Sequence, residues 1–154
     1  MVSIEFLGKV VGVLDTVENN PAGFWIRFGA LLLDGIILTI LFYPVTFIFS
    51  SMGVGDTIID ITSRMLNLIY AIVLPLLWSG YVIGKRIVGI RIVNMDGSDV
   101  GFLTMVLRVF VSGIIYLATL GIGVIVSAFM IGLREDKRAI HDLVAGTYVT
   151  YNRP

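Results

Sequence analysis

Long apolar runs separated by short polar stretches set the pattern of this chain. From about Ala22 to Phe49 the only charged residues are Arg27 and Asp34, and a run of that length crosses ~30 Å of hydrocarbon with some tilt. Asn19-Asn20-Pro21 breaks the chain ahead of it, and Pro21 suits a helix start. Phe24 and Trp25 fall where the aromatic belt of a span belongs. Pro44, in the last third, predicts a kink or an end. Ser50 to about Ser63, carrying Asp56 and Asp60 with Gly53 and Gly55, reads as a loop. A second span is expected from about Arg64 to Gly84, with Pro75 near its middle as a kink or a hinge.

The polar connection from Gly84 to Ser98 contains the alternating run Ile90-Arg91-Ile92-Val93 and the turn dipeptide Asp96-Gly97, so a short strand is expected there. The C-terminal run Gly146-Thr-Tyr-Val-Thr-Tyr-Asn alternates in the same way. These two strands should pair at the membrane surface. Between them, about Phe102 to Leu133 is apolar except for Arg108 and a stripe of Thr104, Arg108, Ser112 and Tyr116 on one helix face. Gly121-Ile-Gly123 offers a break, so this stretch is one very long span, two short helices or a re-entrant pair.

Charge chooses the topology. Lys85, Arg86 and Arg91 precede the third apolar region, and Arg134, Lys137, Arg138 and Arg153 follow it. The bias of basic residues toward the cytoplasm puts both clusters inside, which requires an even number of crossings between them. The acidic first loop is then outside and both termini are cytoplasmic. Residues 1 to 20 mix apolar and charged positions and read as an amphipathic extension or a strand pair turning near Gly8. They lack the basic start and long apolar stretch of a cleavable signal, so the first span is expected to direct insertion and remain.

Composition agrees with this picture: 57% hydrophobic, 14% charged and mean hydropathy +0.97, far from the roughly 25% charged of soluble domains. A formal net charge of zero offers no footprint for nucleic acid. The absence of cysteine removes disulfide, zinc-thiolate and redox chemistry. No histidine pair, phosphate-binding glycine loop or nucleophile elbow is present, so neither catalysis nor a cofactor is expected.

Arg27 and Asp34 are the candidates for chemistry. Ionisable groups in lipid cost roughly 2.5 to 3.5 kcal/mol each on the insertion scale, so they face protein or water. Seven residues apart, they project from one helix face about 10 Å apart along the axis. Asp34 reads either as a cation or proton site, its affinity tuned by burial and neighbouring charge, or as half of a structural ion pair with Arg27, Arg108 or a basic surface residue. Arg27 and Arg108 also suit snorkelling to the interface. His141 and Asp142 suggest a proton relay, but as neighbours on a regular element they diverge. A cap on a short surface helix ended by Gly146 is the better reading of that pair.

Together these segments resemble the RDD family of bacterial inner-membrane proteins, named for one arginine and two aspartates. Pro21-Ala-Gly-Phe-Trp-Ile-Arg-Phe-Gly-Ala-Leu-Leu-Leu-Asp-Gly matches its first helix and carries the family's arginine onto Arg27 and its first aspartate onto Asp34. Gly84-Lys-Arg-Ile-Val-Gly-Ile-Arg-Ile-Val-Asn-Met-Asp-Gly matches its cytoplasmic stretch. Lys137-Arg-Ala-Ile-His-Asp-Leu-Val-Ala-Gly-Thr-Tyr-Val matches its terminal motif and carries the second aspartate onto Asp142.

The resemblance implies an all-α membrane protein: a small bundle of three to four transmembrane helices with a two-stranded β element at the cytoplasmic surface. It covers 21–152 as one domain, with 1–20 as an extension outside it. It also implies cation/proton-coupled, antiporter-like transport, with Asp34, Asp142 and Arg27 at the ion or proton site and Arg108 and His141 in support. The expected partners are the lipid bilayer, a monovalent cation or proton, and a second copy in a homodimer. The other expectation is a small membrane adaptor or regulator of another membrane protein, such as a protease, with the charged network structural.

Overall fold

The computed structural model describes residues 20–154; the extension expected at the N-terminus lies outside the described residues except for Asn20. The elements in chain order are α1 (Phe24–Ser51), α2 (Asp56–Leu77), α3 (Ile83–Ile87), β1 (Arg91–Asn94), α4 (Phe102–Ala118), α5 (Ile122–Leu133), α6 (Ile140–Ala145) and β2 (Thr147–Thr150).

α1 buries only Ala30 and Asp34, while Leu31, Leu32, Ile36, Ile40, Phe47 and Ile48 are exposed. A helix apolar on every side and so little covered by protein takes lipid as its solvent. Pro44 does not end it. The helix continues to Ser51, because Pro44 frees only the Ile40 carbonyl, whereas unwinding the rest in lipid would strand several backbone groups.

α2 is displaced toward the N-terminus relative to the expected span, beginning at Asp56 rather than Arg64 and ending at Leu77 rather than Gly84. The two acids read as loop residues fit its first turns. Asp56 lies at the positive end of the helix dipole, and Asp60 pairs with Arg64 one turn later at 2.9 Å. Pro75 consequently sits in the last turn. Beyond it, Ser79 (φ 48°) and Gly80 (φ 90°) turn left-handed and stop the helix. Gly80 is required twice over: a Cβ there would lie 1.9 Å from the Ile92 carbonyl oxygen, at a φ that favours glycine.

α1 and α2 are each long and apolar enough to cross a membrane. α4 and α5 qualify only together and are bent by 120° at their junction, where Leu120 (φ 49°) and Gly121 (φ 87°) reverse the chain at the expected break. The described residues thus hold two clear spans, or three if the bent pair counts as one, which meets the lower end of the expected three to four.

The two strands pair as expected, antiparallel, with Ile92 opposite Val149 and Val93 opposite Tyr148. The segment entering α1 is stitched to the far side of β2: the Ala22 N–H donates to the Val149 carbonyl (2.8 Å) and the Tyr151 N–H to that of Asn20 (3.1 Å). The core forms where this sheet meets the helix ends, from Ala22, Ala30, Ile72, Ile90, Ile92, Val100, Met105 and Val149. A second close approach sets α3 against α1. A Cβ on Gly84 would lie 2.3 Å from the Ala30 carbonyl oxygen and 2.8 Å from Asp34 Cγ.

Gly84→Ala should therefore lower the thermal midpoint in detergent, overpacking of this kind costing about 1–3 kcal/mol. Gly113→Ala, whose Cβ would meet nothing within 4 Å, should leave it level or slightly raised. Equal midpoints for the two variants would contradict the close approach.

Candidate functional site

Asp142 is the third residue of α6, and its Oδ2 accepts the backbone N–H of Ala139 at the helix start (3.0 Å). Gly146, at φ 62°, ends the helix. The cap expected of this segment is present, but the same carboxylate does more. It is 0% exposed; Arg27 Nη1 donates to Oδ2 at 2.7 Å, and Arg108 Nη1 lies 2.6 Å from Oδ1. Arg108 Nη1 also donates to Thr147 Oγ1 (2.7 Å), so Oδ1 holds a charge contact without a well-directed hydrogen bond. Arg27 completes its set with Nε to the Ala22 carbonyl (2.9 Å) and Nη2 to that of Lys137 (2.6 Å). Burial alone would raise the Asp142 carboxyl, but Arg108 and Arg27 beside it hold it well below the usual carboxylate range.

Asp34 belongs to a different cluster. Its Oδ1 accepts the Tyr70 hydroxyl (2.5 Å) and the Gly84 N–H (2.7 Å), and the Ile83 N–H in turn donates to the Tyr70 oxygen (2.9 Å). One carboxylate on α1 thus ties α2 and the start of α3 to it. The Arg27–Asp34 pairing suggested by their shared face does not form. Long side chains on a helix lean toward its N-terminus, so Arg27 reaches back to Ala22 and across to α6, away from Asp34.

Between these clusters lies a cavity of ≈ 480 Å³ lined by Asp34, Asn67, Tyr70, Lys85, Arg108, Ser112, Tyr116 and His141, among apolar neighbours such as Leu38 and Met105. Arg108, Ser112 and Tyr116 are the polar stripe visible in the sequence. Tyr116 shares its hydroxyl between Ser127 Oγ (3.1 Å) and His141 Nδ1 (2.8 Å). His141 is neutral at neutral pH: burial, then the Arg108 charge, push it down to about 3. Lys85 is pushed down to about 8, by burial first and Arg108 second, with Asp34 opposing. Tyr70, Lys85 and Thr147 escaped the sequence reading. Lys85 stands next to the glycine that touches Asp34, a contact that only the fold reveals.

The fold and the cluster define a helical membrane protein whose buried ionisable residues gather where the spans meet a small surface sheet. The chain belongs to the RDD family, whose model matches residues 21–146. It is 52% identical over 135 residues to the uncharacterized protein YckC of Bacillus subtilis (strain 168), covering 88% of this chain and 87% of that one. It is 31% identical over 158 residues to the uncharacterized protein YxaI of the same organism, covering 86% of this chain and 99% of that one. No solved structure matches it significantly.

Asp142→Asn should cost about 3–5 kcal/mol, because two buried guanidinium groups lose their shared counter-charge. Asp34→Asn, which keeps an acceptor for Tyr70 and Gly84, should cost far less; denaturation in detergent compares them. Acid should weaken the wild type in two stages. His141 has its native pKa below the unfolded value of about 6.5, so its contribution is complete above that value and is lost as pH falls from about 6.5 toward 3. Asp142 follows below about pH 4, toward its still lower native value. His141→Gln should flatten the pH 4–6.5 slope; an unchanged slope would remove His141 as its source.

Proposed function

We propose that this protein is a multi-pass protein of the bacterial inner membrane, without enzymatic activity, that exchanges protons for a monovalent cation at Asp34. The observation that carries this reading is the cavity itself: a space among apolar helices with one carboxylate among the polar side chains on its wall. Among the described residues, hydrogen bonds reach Asp34 through Oδ1, which leaves Oδ2 to a proton or a cation. Lys85 lines the same space, and its lowered affinity for a proton makes it the natural competitor of an entering cation. In this scheme Arg27, Arg108 and Asp142 hold the cytoplasmic wall, and His141 fixes Tyr116 within it. Arg27, expected at the ion or proton site, serves anchorage in this scheme.

Two or three spans are too few to form alternating pathways around a site, which transporters usually build between repeats. A homodimer supplies the second half. The basic clusters on both sides of α4 and α5 support cytoplasmic termini. A second reading is a membrane adaptor or regulator of another membrane protein. It draws on the full pairing of Asp142, which serves rigidity without any ion.

Liposomes containing the wild type should show sodium- or potassium-dependent proton flux, reduced at least tenfold in Asp34→Asn. Absence of flux from folded wild-type dimer, or full flux in folded Asp34→Asn, would favour the adaptor. For topology, single cysteines at Val54 and Asn152 should label from opposite sides of the membrane; labelling from one side would overturn the assigned orientation.

A further inference from the structure

A second polar site lies outside the cavity, at the end of α2. Here a groove of ≈ 760 Å³ is lined by Leu77, Trp78, Tyr81, Arg86, Tyr151 and Arg153, with Ser79 and Gly89 between them. Leu77, the last residue of the span, is 73% exposed, so one end of the groove opens onto hydrocarbon. The other end opens onto the surface that carries the sheet. Aromatic residues at such a boundary sit at headgroup level.

Two arginines supply the charge, one fixed by its side chain and the other carried on a pinned backbone. The Arg86 guanidinium stacks 4.8 Å over the Trp78 ring and 5.9 Å from that of Tyr81, which fixes its plane and leaves its edge of N–H donors free. Arg153 follows β2 on a segment pinned by Arg91. Arg91 donates Nε to the Asn152 carbonyl (2.8 Å), Nη2 to that of Arg153 (3.4 Å) and Nη1 to that of Ser79 (3.1 Å). The charge of Arg91 is met by Asp99 at 2.6 Å. Among the described residues, Arg86 and Arg153 have no carboxylate within ion-pair distance. One guanidinium group set by its aromatic neighbours and a second on the same groove, beside a lipid-facing leucine, match the oxygens of a phosphate group.

We infer that the Arg86–Arg153 groove binds a phosphate-bearing anion at the cytoplasmic boundary of the membrane. The ligand chemistry is the phosphate. A phosphodiester headgroup with its acyl chains along Leu77 and a free phosphate are its two sources, and the open end at Leu77 favours the lipid. The site is independent of the transport reading, since none of its arginines enters the Asp34 cavity.

The test uses the full chain with Trp25→Phe, which leaves Trp78 as the sole tryptophan, in vesicles of brominated phosphatidylglycerol or brominated phosphatidylcholine. Bromine on the acyl chains quenches Trp78 when that lipid occupies the groove. Phosphatidylglycerol should be preferred over phosphatidylcholine, with roughly fivefold of the preference attributable to each arginine. Arg153→Gln should lose about fivefold, and Arg86→Gln with Arg153→Gln should lose the preference altogether, while Arg134→Gln should keep it. Displacement of the quenching lipid by millimolar inorganic phosphate would support the phosphate site with free phosphate as its source. Equal quenching by the two lipids, with no effect of inorganic phosphate, would overturn the inference, as would an undiminished preference in the folded double variant.

Discussion

The carboxylate of Asp142, wholly buried and shared by two arginines, is the interaction on which the arrangement of this molecule depends. Arg27 comes from the first turn of α1 and Arg108 from α4, and neither helix touches the other's sequence neighbourhood by any local route. Each guanidinium group would be costly where it stands without that charge. With it, each also satisfies nearby backbone or hydroxyl acceptors, at Ala22, Lys137 and Thr147. The spans themselves bury almost nothing against one another. Lipid offers no hydrophobic force to press them together, so order is imposed from the ends that meet the sheet.

The same economy explains why polar clusters adjoin without merging. Arg108 forms part of the cavity wall and touches Asp142 behind it, so one cation serves both a closed clamp and an open space. Asp34, 8% exposed, is held by neutral donors instead. Neutral donors hold the one carboxylate, and two arginines hold the other. That contrast separates the surroundings of the two aspartates, and the proposed exchange at Asp34 rests on it.

Much of the framework was legible in the residue pattern. The alternating runs around Ile92 and Val149 pair in the structure, the break at Gly121 is real, and the cap formed by Asp142 is where the spacing put it. What failed has common physical causes. Helix ends shifted because Asp56 and Asp60 look like loop residues until the dipole and the Arg64 pair are counted, and because Gly80 is fixed by the remote Ile92 carbonyl. The partners of Arg27 and Asp34 were hidden because they come from elements 115 and 36 to 50 residues away. A shared helix face locates a Cβ but not the far end of an arginine. Lys85 looked like an ordinary topology-setting cation, since nothing local reveals that α3 turns it toward Asp34.

That sequence separation also has a consequence for biogenesis. Arg27 is synthesised 115 residues before Asp142, a delay of roughly 6 to 23 s at the usual 5–20 residues per second of translation. During that interval α1 must enter the bilayer with its guanidinium group unmatched, and only snorkelling to the headgroups can shelter it. The latch exists only once α6 has been made. A chain stopped between Arg108 and Asp142 therefore leaves two guanidinium groups without the carboxylate they share.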